Sequence, residues 1–272
     1  MIQKKRKARY YKLERKKTIF RSRFFWDFIL VLILIFLIFY LLFFSKVFRV
    51  QDIKIIGARN QLTQDLKKII GRKTENKIIS FWVSSSIFLI DSEELEKEIL
   101  KEYPELKKAN LKKKFPQSLV LEVEQRNPVV TLCYSTSTHC FLADQDGVIF
   151  KEIQEDSLWN NFVLIFLKKE EAQPLGTNGI PEDKIKKILE IYQNLQEILK
   201  IGVEFFTFDG KERLDVKTEE GWEIYFSLGS DISLSLTKLK LILEKEIPLE
   251  QREKLEYIDL RFLKAYYKYK NL

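Results

Sequence analysis

ANLKKKFPQSLVLEVEQRNPVV, residues 109–130, contains a strand, a turn, a second strand and then a change of texture. In the first strand Ala109, Leu111 and Phe115 share one face, with Lys113 as its fourth member. In the second, Leu119, Leu121 and Val123 alternate with Val120, Glu122 and Glu124, the two-residue period of a strand with one buried face. Pro116 and Gln117 between them read as a tight turn. From residue 127 onward the pattern is mostly strands, so this stretch marks the end of one unit and the start of another.

Working back from it, VFRVQDIKIIG predicts a strand over about 47–57. A short helix is expected to open at Thr63, whose hydroxyl can cap free backbone N–H groups, and to close near Gly71. Asp91 and Glu94 have capping-box spacing for a second helix, which stops before Pro104. The order strand, helix, helix, strand, strand describes a small α+β unit over 46–126.

Further back, FFWDFILVLILIFLIFYLLFF, residues 24–44, is an almost unbroken apolar run. Twenty-one residues span roughly 31 Å as a helix, enough to cross a bilayer. Its one charge, Asp27, sits in the first turn beside Trp26, where both suit the headgroup level. A secretory signal has a shorter apolar region ending in small residues. Here the run continues into Ser45, Lys46, Val47 and Phe48, which reads as an uncleaved anchor. Residues 1–23 carry eleven cations against the single anion Glu14, and the positive-inside rule keeps such a tail in the cytoplasm. The rest of the chain is then exported.

The net charge of +8 belongs to that tail. Of 47 Lys and Arg, eleven precede residue 24, and two of 39 Asp and Glu precede residue 45, leaving 36 cations against 37 anions in 45–272. The exported part therefore lacks the basic footprint of a nucleic-acid binder. The tail is explained by orientation and by attraction to the lipid bilayer.

Forward of Pro128, the segments VVTLCY, CFLADQDGVIF with an Asp146-Gly147 turn, FVLIFLKK, VEFFTF, RLDVKT and GWEIYFSL read as strands. One helix begins after Pro181 with Ile185, Ile188, Leu189, Tyr192, Leu195 and Leu199 on a face. Another follows Asp231, burying Leu236, Leu239, Ile242 and Leu243. EYIDLRFLKAYYKYK is expected to be one last edge strand, with Ile258, Leu260 and Phe262 pointing one way. The fold class is α+β: a transmembrane helix at 24–44, the small βααββ unit, and over 127–272 a larger, mostly antiparallel β domain with flanking helices.

This ordered set resembles the FtsQ/DivIB family of bacterial cell-division proteins. The resemblance rests on FRVQDIKIIGARNQLTQDLKKIIG, FPQSLVLEVEQRNPVV, FLADQDGVIF and YIDLRF, behind a basic tail and one apolar helix. Two positions depart from the family pattern: Gln125 stands where Glu precedes the arginine, and Phe115 where Trp is frequent. The resemblance implies a POTRA domain beside the membrane, a following β domain, no catalysis and no cofactor. It implies FtsB/DivIC-like and FtsL-like partners, influence on the septal peptidoglycan synthase, and a partner strand added to the last strand. By position Tyr257, Asp259, Arg261, Phe262 and Tyr266 are the expected contact residues, interleaved with Lys264, Lys268 and Lys270. Pro116, Gln125, Arg126 and Pro128 are the expected junction between the two domains.

Other chemistry is thinly supported. Cys133 and Cys140 flank YSTSTH between two strands and are either a disulfide, permitted outside the membrane, or two separate thiols. His139 beside Cys140 is a poor start for a zinc site, because the chain holds only three Cys and His residues in all. A membrane-tethered hydrolase would need converging carboxylates or a nucleophile with a base, and Asp144 and Asp146 are the nearest approach to either. A POTRA-bearing transport component would need a barrel of many alternating strands, for which the chain is short.

Overall fold

The computed structural model describes residues 23–74, 76–79, 82–84, 86–134, 140–153, 162–168 and 173–270, with backbone only for 76–79 and 82–84. Residues 1–22 and 135–139, His139 among them, lie outside the described residues. Helix α1 (Arg23–Phe44) is 22 residues long and none of them is buried in the protein. By length and composition it can cross a membrane. The chain divides into two compact units, one gathered from Met1–Lys54, Lys67–Asp91 and Lys113–Val120, the other from Ile55–Leu66, Ser92–Lys112 and Leu121–Leu272.

Strand β1 (Asp52–Ile56) is shorter than the 47–57 reading. Residues Lys46–Phe48 instead form a 3₁₀ turn, because the Ser45 hydroxyl accepts the Val47 N–H and fixes the chain in a turn. Gly57 ends the strand at φ +92°, where a Cβ would lie 2.0 Å from the Val123 carbonyl oxygen. Helix α2 (Asn60–Thr74) starts three residues earlier than expected. Thr63 is already a turn inside it, and its hydroxyl donates back to the Arg59 carbonyl instead of capping. Gly71 does not end the helix, which closes with the Thr74 hydroxyl donating to the Gly71 carbonyl.

A hairpin absent from the sequence reading, β2 (Asn76–Ile79) and β3 (Trp82–Ser84), comes next. Helix α3 (Ser92–Glu102) lies where predicted, with Leu95 and Ile99 buried, Glu93 and Glu94 in its first turn and Lys101 in its last. Strands β4 (Leu106–Lys114) and β5 (Ser118–Gln125) flank a turn with a cis Phe115-Pro116 bond, and β5 lies between β1 and β4. Phe115 is not part of the β4 buried face. It sits past the strand end in the turn, 58% exposed.

Among the described residues the second sheet has nine strands. The first four are β6 (Val130–Tyr134), β7 (Cys140–Ala143), β8 (Ile149–Ile153) and β9 (Val163–Leu167). Then come β10 (Val203–Phe208), β11 (Arg213–Thr218), β12 (Glu223–Ser227), β13 (Leu255–Asp259) and β14 (Tyr266–Tyr269). Their order is β14-β13-β12-β11-β10-β9-β6-β7-β8. Pairs β12–β13, β9–β10 and β6–β9 are parallel; the other five are antiparallel.

Period-two burial divides this sheet into two faces. Leu132, Ile165, Phe206, Phe208, Leu214, Val216, Ile224, Phe226 and Ile258 point to one, where they join buried residues of α4 (Glu182–Gln193) and α5 (Ile232–Lys245) in one core. After Gln193, α4 continues as a π-helical turn through Ile198, and a four-residue helix, α6 (Leu249–Arg252), precedes β13. The expected single last strand is two. Asp259 ends β13 because its carboxylate accepts the Arg261 N–H, and the chain returns antiparallel as β14.

On the other face, Leu142, Phe150, Ile153 and Leu164 form a smaller apolar cluster with Cys133 and Cys140. The two cysteines are directly opposed in the β6–β7 register and are joined as a disulfide, with Cα atoms 4.2 Å apart. Closing this short loop contributes about 2.5 kcal/mol in the chain-entropy treatment. The full-length Cys133→Ala/Cys140→Ala protein is expected to melt about 5–10 °C below wild type by circular dichroism. An unchanged Tm would mean that the loop is held closed without the bridge.

Candidate functional site

The face of β11–β14 turned away from the core is built by register. Asp215 pairs with Tyr225, Tyr225 with Asp259 and Asp259 with Tyr266, a row of four residues across four strands. Two arginines flank Tyr225, their guanidinium carbons 5.0 Å (Arg213) and 5.4 Å (Arg261) from its ring centre. Tyr257 stacks on the same ring at 5.2 Å. Arg261 also lies 5.6 Å from the Phe262 ring, which meets Tyr266 edge to face at 6.2 Å. The result is a continuous aromatic and guanidinium surface.

Carboxylates hold the arginines still. Arg261 donates Nε and Nη2 to the two Asp259 oxygens at 2.9 and 2.6 Å, the bidentate geometry that fixes a guanidinium plane. Arg213 donates Nε to Asp215 at 2.7 Å. Burial pushes the Asp259 carboxyl up, but its hydrogen bonds from Arg261 outweigh this and hold it below the usual carboxylate range. The Tyr225 phenol is raised by burial and by donating to Glu223, so it stays protonated. Asp209, Lys211, Glu212, Arg213, Ser227, Arg261 and Phe262 line an open groove beside this surface.

The predicted contact residues are thus placed as follows. Tyr257 and Asp259 belong to β13, Tyr266 to β14, and Arg261 and Phe262 to the bend between them. Asp259 is almost buried and acts through Arg261, whereas Phe262 and Tyr266 are more than half exposed. Arg213, Asp215 and Tyr225 carry no functional signal of their own in the sequence. Their alternation in RLDVKT and WEIYF shows the face they occupy, but only the register of β11, β12 and β13 brings them together.

The outer edge beyond this surface is β14. The Lys270 N–H donates inward to the Lys254 carbonyl, and the Leu260 N–H donates to Tyr225 on the far side of β13. Backbone groups alternate in direction along a strand, so those of Tyr267 and Tyr269 face outward from the sheet.

A second constellation surrounds Arg126. This residue donates Nε to the Pro104 carbonyl at 3.1 Å and Nη1 to Asp144 at 2.5 Å, and both side chains of that pair are largely buried. The other Asp144 oxygen accepts the N–H groups of Asp146 and Val148, each at 3.0 Å. Gly147, at φ +80°, completes the turn. Asp146 itself pairs with Lys107 at 2.7 Å, which lowers its pKa. Gln125 ends β5 and Pro128 is half buried in the link to β6. Pro116 is exposed in the turn that precedes β5. Asp144 is committed to arginine and backbone, a structural duty that accounts for its burial without catalysis. Among the described residues, no group of three His, Cys, Asp or Glu is placed to hold a metal ion.

Removing the guanidinium in Arg261→Ala leaves the Asp259 carboxylate poorly solvated and is expected to cost about 1–3 kcal/mol in urea unfolding. Because the folded-state pKa of Asp259 is depressed, the stabilisation is present above the unfolded value of about 4 and is lost as pH falls through the lower folded value. The wild-type advantage should therefore shrink below about pH 4. A difference independent of pH would show that packing, not the ion pair, is what Arg261 supplies.

Residues 48–126 match the family model for the POTRA domain, FtsQ-type, and residues 136–261 match that for cell division protein FtsQ/DivIB, C-terminal. The second match ends at Arg261, so Phe262 and β14 lie beyond it. A search of curated proteins found no match. The two models together cover most of the chain in the order of the two sheets described above, and the chain belongs to the FtsQ/DivIB family of cell-division proteins.

Proposed function

We propose that this protein is a non-catalytic scaffold of the division machinery, anchored by α1 in the plasma membrane at the septum, with residues 1–23 in the cytoplasm and residues 46–272 outside. In this reading the POTRA domain occupies 46–126 and the β domain 127–272. The protein holds FtsB/DivIC-like and FtsL-like proteins and through them influences the septal peptidoglycan synthase. A partner segment extends the larger sheet by pairing with β14.

The observation that carries this reading is the open β14 edge, with outward-facing backbone at Tyr267 and Tyr269, directly beside exposed Phe262 and Tyr266 and the partly buried Arg261. Main-chain hydrogen bonds along an edge supply affinity that any strand can use. The guanidinium and aromatic surface supplies choice, since desolvated Arg and aromatic side chains dominate interface energies. Asp209 and Glu212 offset the cations Lys211, Arg213 and Arg261 around the groove, and the guanidinium planes beside Phe262 favour an aromatic residue in the partner. Anchoring confines both partners to a thin layer, so weak contacts act at high effective concentration.

Affinity of the full-length protein in nanodiscs for an FtsB/DivIC-like partner tests this. Tyr267→Pro removes one outward N–H while sparing the bonds to β13, and it is expected to weaken binding by about tenfold or more. Phe262→Ala should act in the same direction. Binding of both variants within about twofold of wild type would rule out the β14 edge as the contact.

A further inference from the structure

Phe48, Phe88 and Phe115 come from three separate parts of the sequence and meet in a chain of rings. The Phe48–Phe88 and Phe88–Phe115 centroids are each 5.2 Å apart. Phe88 is 40% exposed and Phe115 58%. Neighbouring exposed aromatics on a water-facing surface are uncommon unless something covers them.

Their position relative to α1 identifies what does. The Ser86 hydroxyl donates to the Leu42 carbonyl at 2.9 Å, fastening the turn that carries Phe88 to a backbone group two residues inside the end of the helix. Ser86 also bridges to Arg49, the residue after Phe48. A 22-residue helix is about 33 Å long against a hydrocarbon core of about 30 Å, so a spanning α1 puts Leu42 near the edge of that core. Phe48 lies four residues beyond Phe44, and at the roughly 2 Å rise of a 3₁₀ turn that distance is about 8 Å, close to the thickness of the headgroup layer. The exposed cations Lys46, Arg49 and Lys114 are sequence neighbours of Phe48 and Phe115. Aromatic rings with adjacent basic side chains suit that layer, rings at the acyl boundary and cations at the phosphates.

We propose that Phe48, Phe88 and Phe115, flanked by Lys46, Arg49 and Lys114, form a docking surface that seats in the lipid headgroup layer from which α1 emerges. A single helix end leaves the attached unit free to swivel. A second attachment through this surface fixes its tilt against the membrane. The proposal rests on α1 crossing the bilayer, which the experiment tests separately.

The full-length protein is reconstituted in vesicles of phosphatidylethanolamine and phosphatidylglycerol, with p-benzoylphenylalanine replacing Phe88, Phe115, Leu34 or Leu249 in turn. After irradiation, lipid adducts are quantified by mass spectrometry. Leu34 lies mid-helix in α1 and reports the span, while the exposed Leu249 reports random collision. Lipid adducts at positions 88 and 115 severalfold above position 249 are expected. Adducts at 34 with only background at 88 and 115 would overturn the docking surface and leave the anchor standing. Background at 34 would overturn the anchor and the proposal with it. Cross-links from 88 or 115 to a second copy of the chain in place of lipid would make this face a self-interface and overturn the proposal.

Discussion

A β-strand sends successive side chains to opposite faces, and that constraint divides the larger sheet into a side packed beneath helices and a side that no helix covers. Helices α4 and α5 cover one face only. The other face must satisfy itself. Over β6–β10 it does so with the apolar cluster around the Cys133–Cys140 bridge. Over β11–β14 it uses Arg213, Asp215, Tyr225, Asp259 and Arg261, a set in which each charge has a partner and each ring a neighbour. A one-residue slip of β12 would exchange Tyr225 for Ile224 and Phe226, losing the surface and the core together.

Three aspartates terminate strands in the same way. Asp144 after β7, Asp209 after β10 and Asp259 in β13 each accept the N–H two residues ahead, turning the chain with a carboxylate. Asp144 and Asp259 then take an arginine as well, from Arg126 and Arg261. One side chain thereby closes a turn and holds a guanidinium in place. Rigid placement at these two sites follows from local backbone geometry and needs no large supporting shell.

The same elements show what the sequence makes legible. Strands with clean alternation, helices with an apolar stripe, and the Asp146-Gly147 turn are readable because their signals are local. The division between β13 and β14 is not. LRFLKA contains no Gly, Pro, Asn or Asp, its apolar pattern runs on, and the turn is made by the Asp259 carboxylate, which looks like any other residue of an alternating strand. Thr63 misleads for a related reason: a hydroxyl can cap a helix or bond back within one, and the choice depends on where the helix begins. Arg261 and Phe262 are legible by position in YIDLRF, whereas Arg213 and Tyr225 are separated from them by 36 or more residues and meet only through strand pairing.

An open edge pairs with any strand, so on the proposed reading something must keep β14 from pairing with its own kind. The bend and strand carry Lys264, Lys268 and Lys270. Lys268 is paired with Glu256 of β13 at 2.7 Å, and Lys270, just past β14, donates to the carbonyl of Glu253, just before β13, so both cations are held beside the edge. A second copy brought edge to edge presents the same three lysines, and like charges facing each other across a strand pair are destabilising. A partner strand with acidic residues reverses the sign of each such contact. On that reading the lysines that guard the edge against self-association also favour an acidic partner, so protection and recognition would come from the same side chains.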